Sequence, residues 1–243
     1  MPTSILDEID SYCRKYGVPR EYLIRIIDDP KVVPMIRGKA AEFNVYLFLK
    51  EKLPSETWKV EKIDMNAQPG HPDLDVLVTH LPTKARLTIE SKSAVRNSFK
   101  TSSKKSSQPH FQVKCHRSRS FMGKATNDRY LVGDFDVVVT NPSNAFILKG
   151  TEEDFAVTHD PKKLKVLSAF YGTQNPEDIL AKSYSDWLFA SPQDIAVKGV
   201  IPRTPYVEFE KDPNWRRASD AEKVLLKAVK QKGQGTPKQS VLS

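Results

Sequence analysis

HPDLDVLVTHLPTKARLTIESKSA, residues 71–94, contains two strand-like runs joined by a short link that includes Pro82. The first run opens on Asp73 and Asp75, and the second closes on Glu90 and Lys92. Side chains alternate along a strand, so residues two apart share a face, about 7 Å from each other. Asp73 and Asp75 therefore point the same way. So do Glu90 and Lys92, while Ile89 and Ser91 point oppositely. The brevity of THLPTKA predicts an antiparallel hairpin with the two charged ends side by side. Carboxylates placed there cost desolvation energy unless something offsets it. Mg²⁺ does so with one or two carboxylates and several retained waters. A lysine two residues from a ligand can hold an attacking water or offset transition-state charge. Phosphodiester hydrolysis uses such a set.

Working outward, PMIRGKAAEFNVYLFLKEKL places apolar residues at 36, 40, 43 and 47, the spacing of a helix face. Its middle is apolar nearly all round, which predicts a largely buried helix. Residues 3–15 and 20–29 read as two short helices broken near Gly17 and Pro19. TWKVEKIDM, LDVLVTH and ARLTIES read as strands, as do FDVVVTN and NAFILKG. HFQVKCH alternates, with Phe111, Val113 and Cys115 on one side and Gln112, Lys114 and His116 on the other. NSFKTSSKKSSQP is Ser/Lys-rich without periodicity and reads as a mobile loop. PKKLKVLSAFYG, PEDILAKSYSDWLFA and SDAEKVLLKAVKQK read as helices, with Tyr184, Trp187 and Phe189 as core or a subunit contact.

The PD at 72–73 and the ESK at 90–92 resemble the PD-(D/E)xK nuclease superfamily, which includes most type II restriction endonucleases. The resemblance spans residues 36–140: helix, three-stranded meander, connection, further strand. It implies an α/β fold with a restriction-endonuclease-like core, a central mixed β-sheet flanked by helices, and helical additions at both ends. It also implies that Asp73 or Asp75, with Glu90 and the backbone carbonyl of Ser91, binds Mg²⁺ (or Mn²⁺ in its place), and that Lys92 assists the water. Glu42, the only acid in AAEFNVYLFL, matches the helix glutamate that the superfamily often carries near the metal. The literal motif selects Asp73, but Asp75 leads the apolar run DVLV, where related nucleases often place their aspartate. QVK at 112–114 is similar to a variant acid-x-lysine element and makes Gln112 and Lys114 a rival or accessory pair. The plainer reading is an exposed ladder, Asp75 to Lys92 and Glu90 to Lys84 or Arg86, worth about 0–1 kcal/mol per pair.

That ladder leaves the charge distribution unexplained. The net charge is +8, and the segment from Ser91 to Asn127 holds nine Lys and Arg with no Asp or Glu. Outside it, acids and bases balance to within one. Clustered cations gain affinity for polyanions by releasing counterions from phosphates. Lys100, Lys104, Lys105, Gln112, Lys114, His116, Arg117 and Arg119 are therefore the expected contacts to double-stranded DNA. Arg117 and Arg119 are also candidates to read guanine in the major groove.

Other chemistries find less support. His110, Cys115 and His116 are too few for a zinc site. No GxGxxG or P-loop pattern occurs. Two cysteines make no disulfide framework, which together with an N-terminus lacking a signal peptide's apolar core predicts a cytoplasmic protein. No apolar run is long enough to cross a bilayer. The expected organisation is one nuclease domain over 1–230, with a core over 34–150, a basic insertion at 93–127, a helical part at 160–230 and a disordered tail at 231–243. The expected activity is a Mg²⁺-dependent type II restriction endonuclease, with a homodimer expected from the habit of similar nucleases. A repair, recombination or mobile-element nuclease on the same core, or a non-catalytic DNA-binding module, are the alternatives.

Overall fold

The computed structural model describes residues 4–62, 75–104, 106–116, 128–148 and 157–234. The chain divides into two compact units, Met1–Ala41 and Glu42–Ser243. In the first, α1 (Ile5–Tyr16) begins at a reciprocal cap between Ser4 and Asp7 and ends at Gly17, whose φ of 64° is the left-handed turn glycine adopts most readily. A short α2 (Leu23–Ile27) follows, and α3 (Val33–Lys52) starts in this unit and ends in the second.

The second unit is an α/β domain with a mixed six-stranded sheet flanked by helices. Strands β1 (Trp58–Lys62), β2 (Val76–His80) and β3 (Ala85–Ser91) form the antiparallel meander expected from the hairpin. After β3 the chain leaves the sheet for a short strand, β4 (His110–Gln112), then returns as β5 (Val137–Thr140), parallel to β3. Then come α4 (Ser143–Phe146), α5 (Pro161–Tyr171), α6 (Pro176–Tyr184), β6 (Leu188–Ala190) and α7 (Pro192–Ile195). The last elements are β7 (Tyr206–Glu208), β8 (Trp215–Arg217) and α8 (Ala221–Gln234). The sheet order is β1-β2-β3-β5-β6-β8, and β4 pairs with β7 in a separate two-stranded ribbon. Among the described residues no helix is long and apolar enough to cross a membrane.

Strand alternation sorts the core into two layers. Val76, Val78, Leu87, Ile89, Val137, Val139 and Phe189 face Val45 and Leu49 of α3 and Val224, Leu225, Ala228 and Val229 of α8. Val138, Leu188, Ala190 and Trp215 face the other way, toward Phe146, Leu167 and Ile179 of α4–α6 and the inner side of the ribbon.

Several elements differ from the expected ones. The helix over α3 is present, but its expected buried face is exposed: Phe43 is 46% and Leu47 56% accessible, and Ile36 is exposed as well. A helix against one layer buries a single stripe. Here that stripe is Val45 and Leu49, continued by Leu53 past the helix end. NAFILKG is not a strand over its first half, because Asn141 Oδ1 accepts from Ser143 N and Oγ and closes one helical turn. WLFA is not helix: α6 stops at Tyr184, Asp186 is held by Arg217 and Tyr171, and the next residues enter the sheet between β5 and β8. Strands β7 and β8 are not among the expected strands and lie either side of Pro213; the Asp212 carboxylate joins them by accepting from Glu208 N, Asn214 N and Trp215 N. Helix α8 continues to Gln234, into the expected tail, and residues 235–243 lie outside the described ones.

The Ser/Lys-rich segment also departs from a free loop. Phe99 is fully buried, edge-on to Phe146 at 5.2 Å and Phe209 at 5.1 Å between ring centroids. Lys100 and His110 exchange both backbone hydrogen bonds at 2.9 Å, and Ser103 N donates to Ser106 O. One aromatic anchor turns a polar stretch into a folded lobe.

Candidate active site

The β2–β3 hairpin turns through Leu81–Lys84, where Lys84 takes a φ of 57°. Its register pairs Val76 with Ile89, so the next residues outward, Asp75 and Glu90, sit opposite each other on one face. Asp75 Oδ2 accepts the backbone N–H of Ser91 at 2.7 Å, which fixes the carboxylate across the mouth of the hairpin. Glu90 Oε1 pairs with Lys92 Nζ at 2.6 Å. Tyr130, on the connection back to β5, closes a triangle: its hydroxyl accepts from Lys92 Nζ at 2.9 Å and donates to Glu90 Oε1 at 3.0 Å. At the same sheet end, Lys62 Nζ reaches Glu42 Oε2 at 3.0 Å and donates to the main-chain oxygen of Asp75 at 2.8 Å.

Electrostatics divide these groups. Burial, together with the nearby Glu90 and Glu42 carboxylates, pushes the Asp75 carboxyl up to about 8, against smaller opposing effects of the Ser91 N–H and Lys92. Burial pulls Lys92 down, but Glu90 and Tyr130 outweigh it and hold the ammonium above its ordinary range. Lys92 is therefore a fixed cation and hydrogen-bond donor, and a poor base. Burial pushes the Tyr130 phenol up to about 12, with Glu90 acting in the same direction, so it stays protonated. Burial likewise raises the Cys115 thiol to about 12, while Lys92 draws it down and Glu90 adds to the rise. Cys115 is thus an inert thiol close to the charged pair.

A divalent cation suits this donor set. No described residue donates to Asp75 Oδ1 or Glu90 Oε2, and the crowding of carboxylates that raises Asp75 is relieved by a cation. No three His, Cys, Asp or Glu side chains among the described residues form a ready cluster. Two carboxylates with water and a main-chain carbonyl suffice for Mg²⁺, which keeps much of its hydration.

The structure thus brings together Asp75, Glu90, Lys92 and Glu42, with Ser91 between them. Asp73 lies outside the described residues, as do Lys105, Arg117 and Arg119. The exposed ladder is absent: Lys92 pairs with Glu90 rather than Asp75, the pair is largely buried, and Lys84 sits in the turn at the far end of the hairpin. Gln112 and Lys114 stand on the ribbon, with no described side-chain contact to Asp75, Glu90 or Glu42.

The ribbon borders the site. Lys114 N donates to Ser93 O at 2.9 Å, and Cys115 N to Arg203 O at 2.8 Å. The alternation of HFQVKCH holds: Phe111, Val113 and Cys115 are buried, Gln112 and His116 half-buried and Lys114 exposed. Lys100 and Lys104 are exposed on the lobe beyond. Two site residues carried no sequence motif. Lys62 would follow only from the β1 register, which sets it opposite Val76, and Tyr130 is delivered by a connection with no periodic signal. No family model, curated protein or solved structure matches this chain, so its reading rests on the geometry just described.

Proposed function

We propose that the chain is a Mg²⁺-dependent endonuclease that hydrolyses DNA phosphodiester bonds on a restriction-endonuclease-like core, with a type II, site-specific enzyme as the leading form. The observation that carries the reading is the convergence of Asp75, Glu90 and Lys92 at one buried sheet end, beside an exposed basic lobe. The helix, antiparallel meander, connection and parallel β5 follow the order of elements that the resemblance implies. Asp75, Glu90 and the Ser91 carbonyl would hold the ion, which supplies a more acidic water and a polarised phosphoryl oxygen. Lys92 stays charged and donates toward the oxygens of the reacting phosphate as they gain charge. Tyr130 aims both Lys92 and Glu90. Lys100, Lys104 and Lys114 follow the phosphate backbone.

Incubation of the protein with plasmid and genomic DNA, with and without Mg²⁺, tests the reading. Discrete fragments that need the metal are expected. A smear would mark a nuclease without site specificity, and equal DNA binding in chelator with no cleavage would mark a binding module. Salt dependence tests the lobe. Changing Lys100, Lys104 and Lys105 together to Ala should flatten the logarithmic salt slope of affinity by up to about three units. Specific and non-specific DNA should weaken alike, because phosphate contacts carry little sequence information. An unchanged slope would assign the lobe to solvent.

A further inference from the structure

We infer that Lys62 is a built-in cation that restricts the site to one divalent ion; the inference rests on the metal-dependent reading above. Lys62 ends β1 with its side chain only 9% exposed, and its ammonium is held from three directions. Glu42 Oε2 lies 3.0 Å away, the Asp75 main-chain oxygen 2.8 Å, and the Phe43 ring centroid 5.4 Å. Glu42 and Phe43 are neighbours on α3, so one helical turn supplies both the carboxylate and the aromatic face. An ammonium placed this way is fixed, and desolvating it is costly unless its charge is needed where it sits.

The charge inventory shows why it is needed. Among the described residues, Glu42, Asp75 and Glu90 bring three negative charges when ionised, and Lys62 and Lys92 bring two positive ones. One divalent cation takes the site to a single positive charge, which an anionic phosphodiester neutralises. A second would raise the excess to three positive charges, against two in the absence of Lys62, so the ammonium opposes the second ion directly. The local geometry agrees. Mg²⁺ takes a carboxylate oxygen at about 2.0–2.1 Å, and Glu42 Oε2 already has an ammonium 3.0 Å away. Any ion seeking that oxygen meets a like charge at close range in a poorly solvated setting. Lys62 thus occupies Oε2 of Glu42 and, through the Asp75 carbonyl, steadies the backbone that presents the Asp75 carboxylate. The division of roles is then simple: Asp75 and Glu90 serve the ion, while Glu42 and Lys62 form a neutral support.

Binding of Mn²⁺ to the full-length protein without DNA, counted at pH 8 by loss of the free-ion electron paramagnetic resonance signal, tests this. Wild type should bind one Mn²⁺ per chain without cooperativity. Lys62→Met should bind two, and Glu42→Gln/Lys62→Met should return to one. Two ions in wild type, one in Lys62→Met, or two in the double variant would overturn the inference. Wild type that binds no Mn²⁺ overturns the metal-dependent reading itself, and the inference with it. If Lys62→Met fails to fold, Lys62→Gln, a neutral donor toward Glu42 and the Asp75 main-chain oxygen, takes its place: it should bind two Mn²⁺, and one would overturn the inference.

Discussion

Lys92→Met should lose cleavage by about 10³ while binding DNA within about tenfold of wild type, roughly 1.4 kcal/mol. Lys92 directly follows β3, with its ammonium largely buried and committed to Glu90 and Tyr130, whereas Lys100 and Lys104 of the lobe are exposed. Its removal should therefore spare ground-state binding and act in the transition state, lowering kcat and kcat/KM alike. Glu90→Gln should give the same loss of cleavage for a different reason, because Glu90 has an oxygen open to the ion. Thermal unfolding with Mn²⁺ separates the two. Lys92→Met should keep the stabilisation that the ion confers on wild type, and Glu90→Gln should lose it. Full cleavage in Lys92→Met, with loss in Lys114→Ala, would move the chemistry to Gln112 and Lys114.

Asp75→Asn should abolish metal-dependent cleavage and yet stabilise the metal-free protein. The Asp75 carboxyl is raised above its ordinary value by burial and by Glu90 and Glu42, so the folded state favours the protonated form. The stability this group contributes is fully present below the unfolded pKa of about 3.9 and is lost as pH rises through its folded value near 8. Urea unfolding in chelator should therefore show wild type weakening from pH 5 to pH 8 relative to Asp75→Asn. The difference should be about 2 kcal/mol, less than the full shift implies because a charged site relaxes. The amide oxygen still accepts from Ser91 N, so the hairpin keeps its closing bond. Added Mg²⁺ should reverse the order by stabilising wild type alone. Parallel pH profiles for the two proteins would remove Asp75 from the buried site.

The hairpin was legible because strand alternation and a short link leave little choice of register, and Asp75, Glu90 and Lys92 followed from it. Glu42 was legible as the one acid in the apolar run AAEFNVYLFL, although the buried side of that helix was not. Periodicity marked 36, 40, 43 and 47 as apolar, yet only contact with the sheet selects Val45 and Leu49. Tyr130 and Lys62 escaped because each reaches the site through tertiary geometry. The lobe escaped because Phe99 outweighs the eleven polar residues of NSFKTSSKKSSQP once Phe146 and Phe209 are placed against it. Where the chain lacks a local period, packing partners distant in sequence decided the outcome. WLFA, which enters the sheet between β5 and β8, is the clearest case.

The ribbon has a consequence for how the chain is made. Strand β4 finds its partner, β7, nearly a hundred residues later, and Cys115, beside the charged pair, is held by the backbone of Arg203. On the ribosome, the hairpin that carries Asp75, Glu90 and Lys92 emerges long before that partner does. The wall that borders them and carries the lobe with exposed Lys100 and Lys104 closes only when residue 208 has been synthesised. Contacts of such separation are slow to form, so the hairpin stays unwalled on that side until β7 has been made.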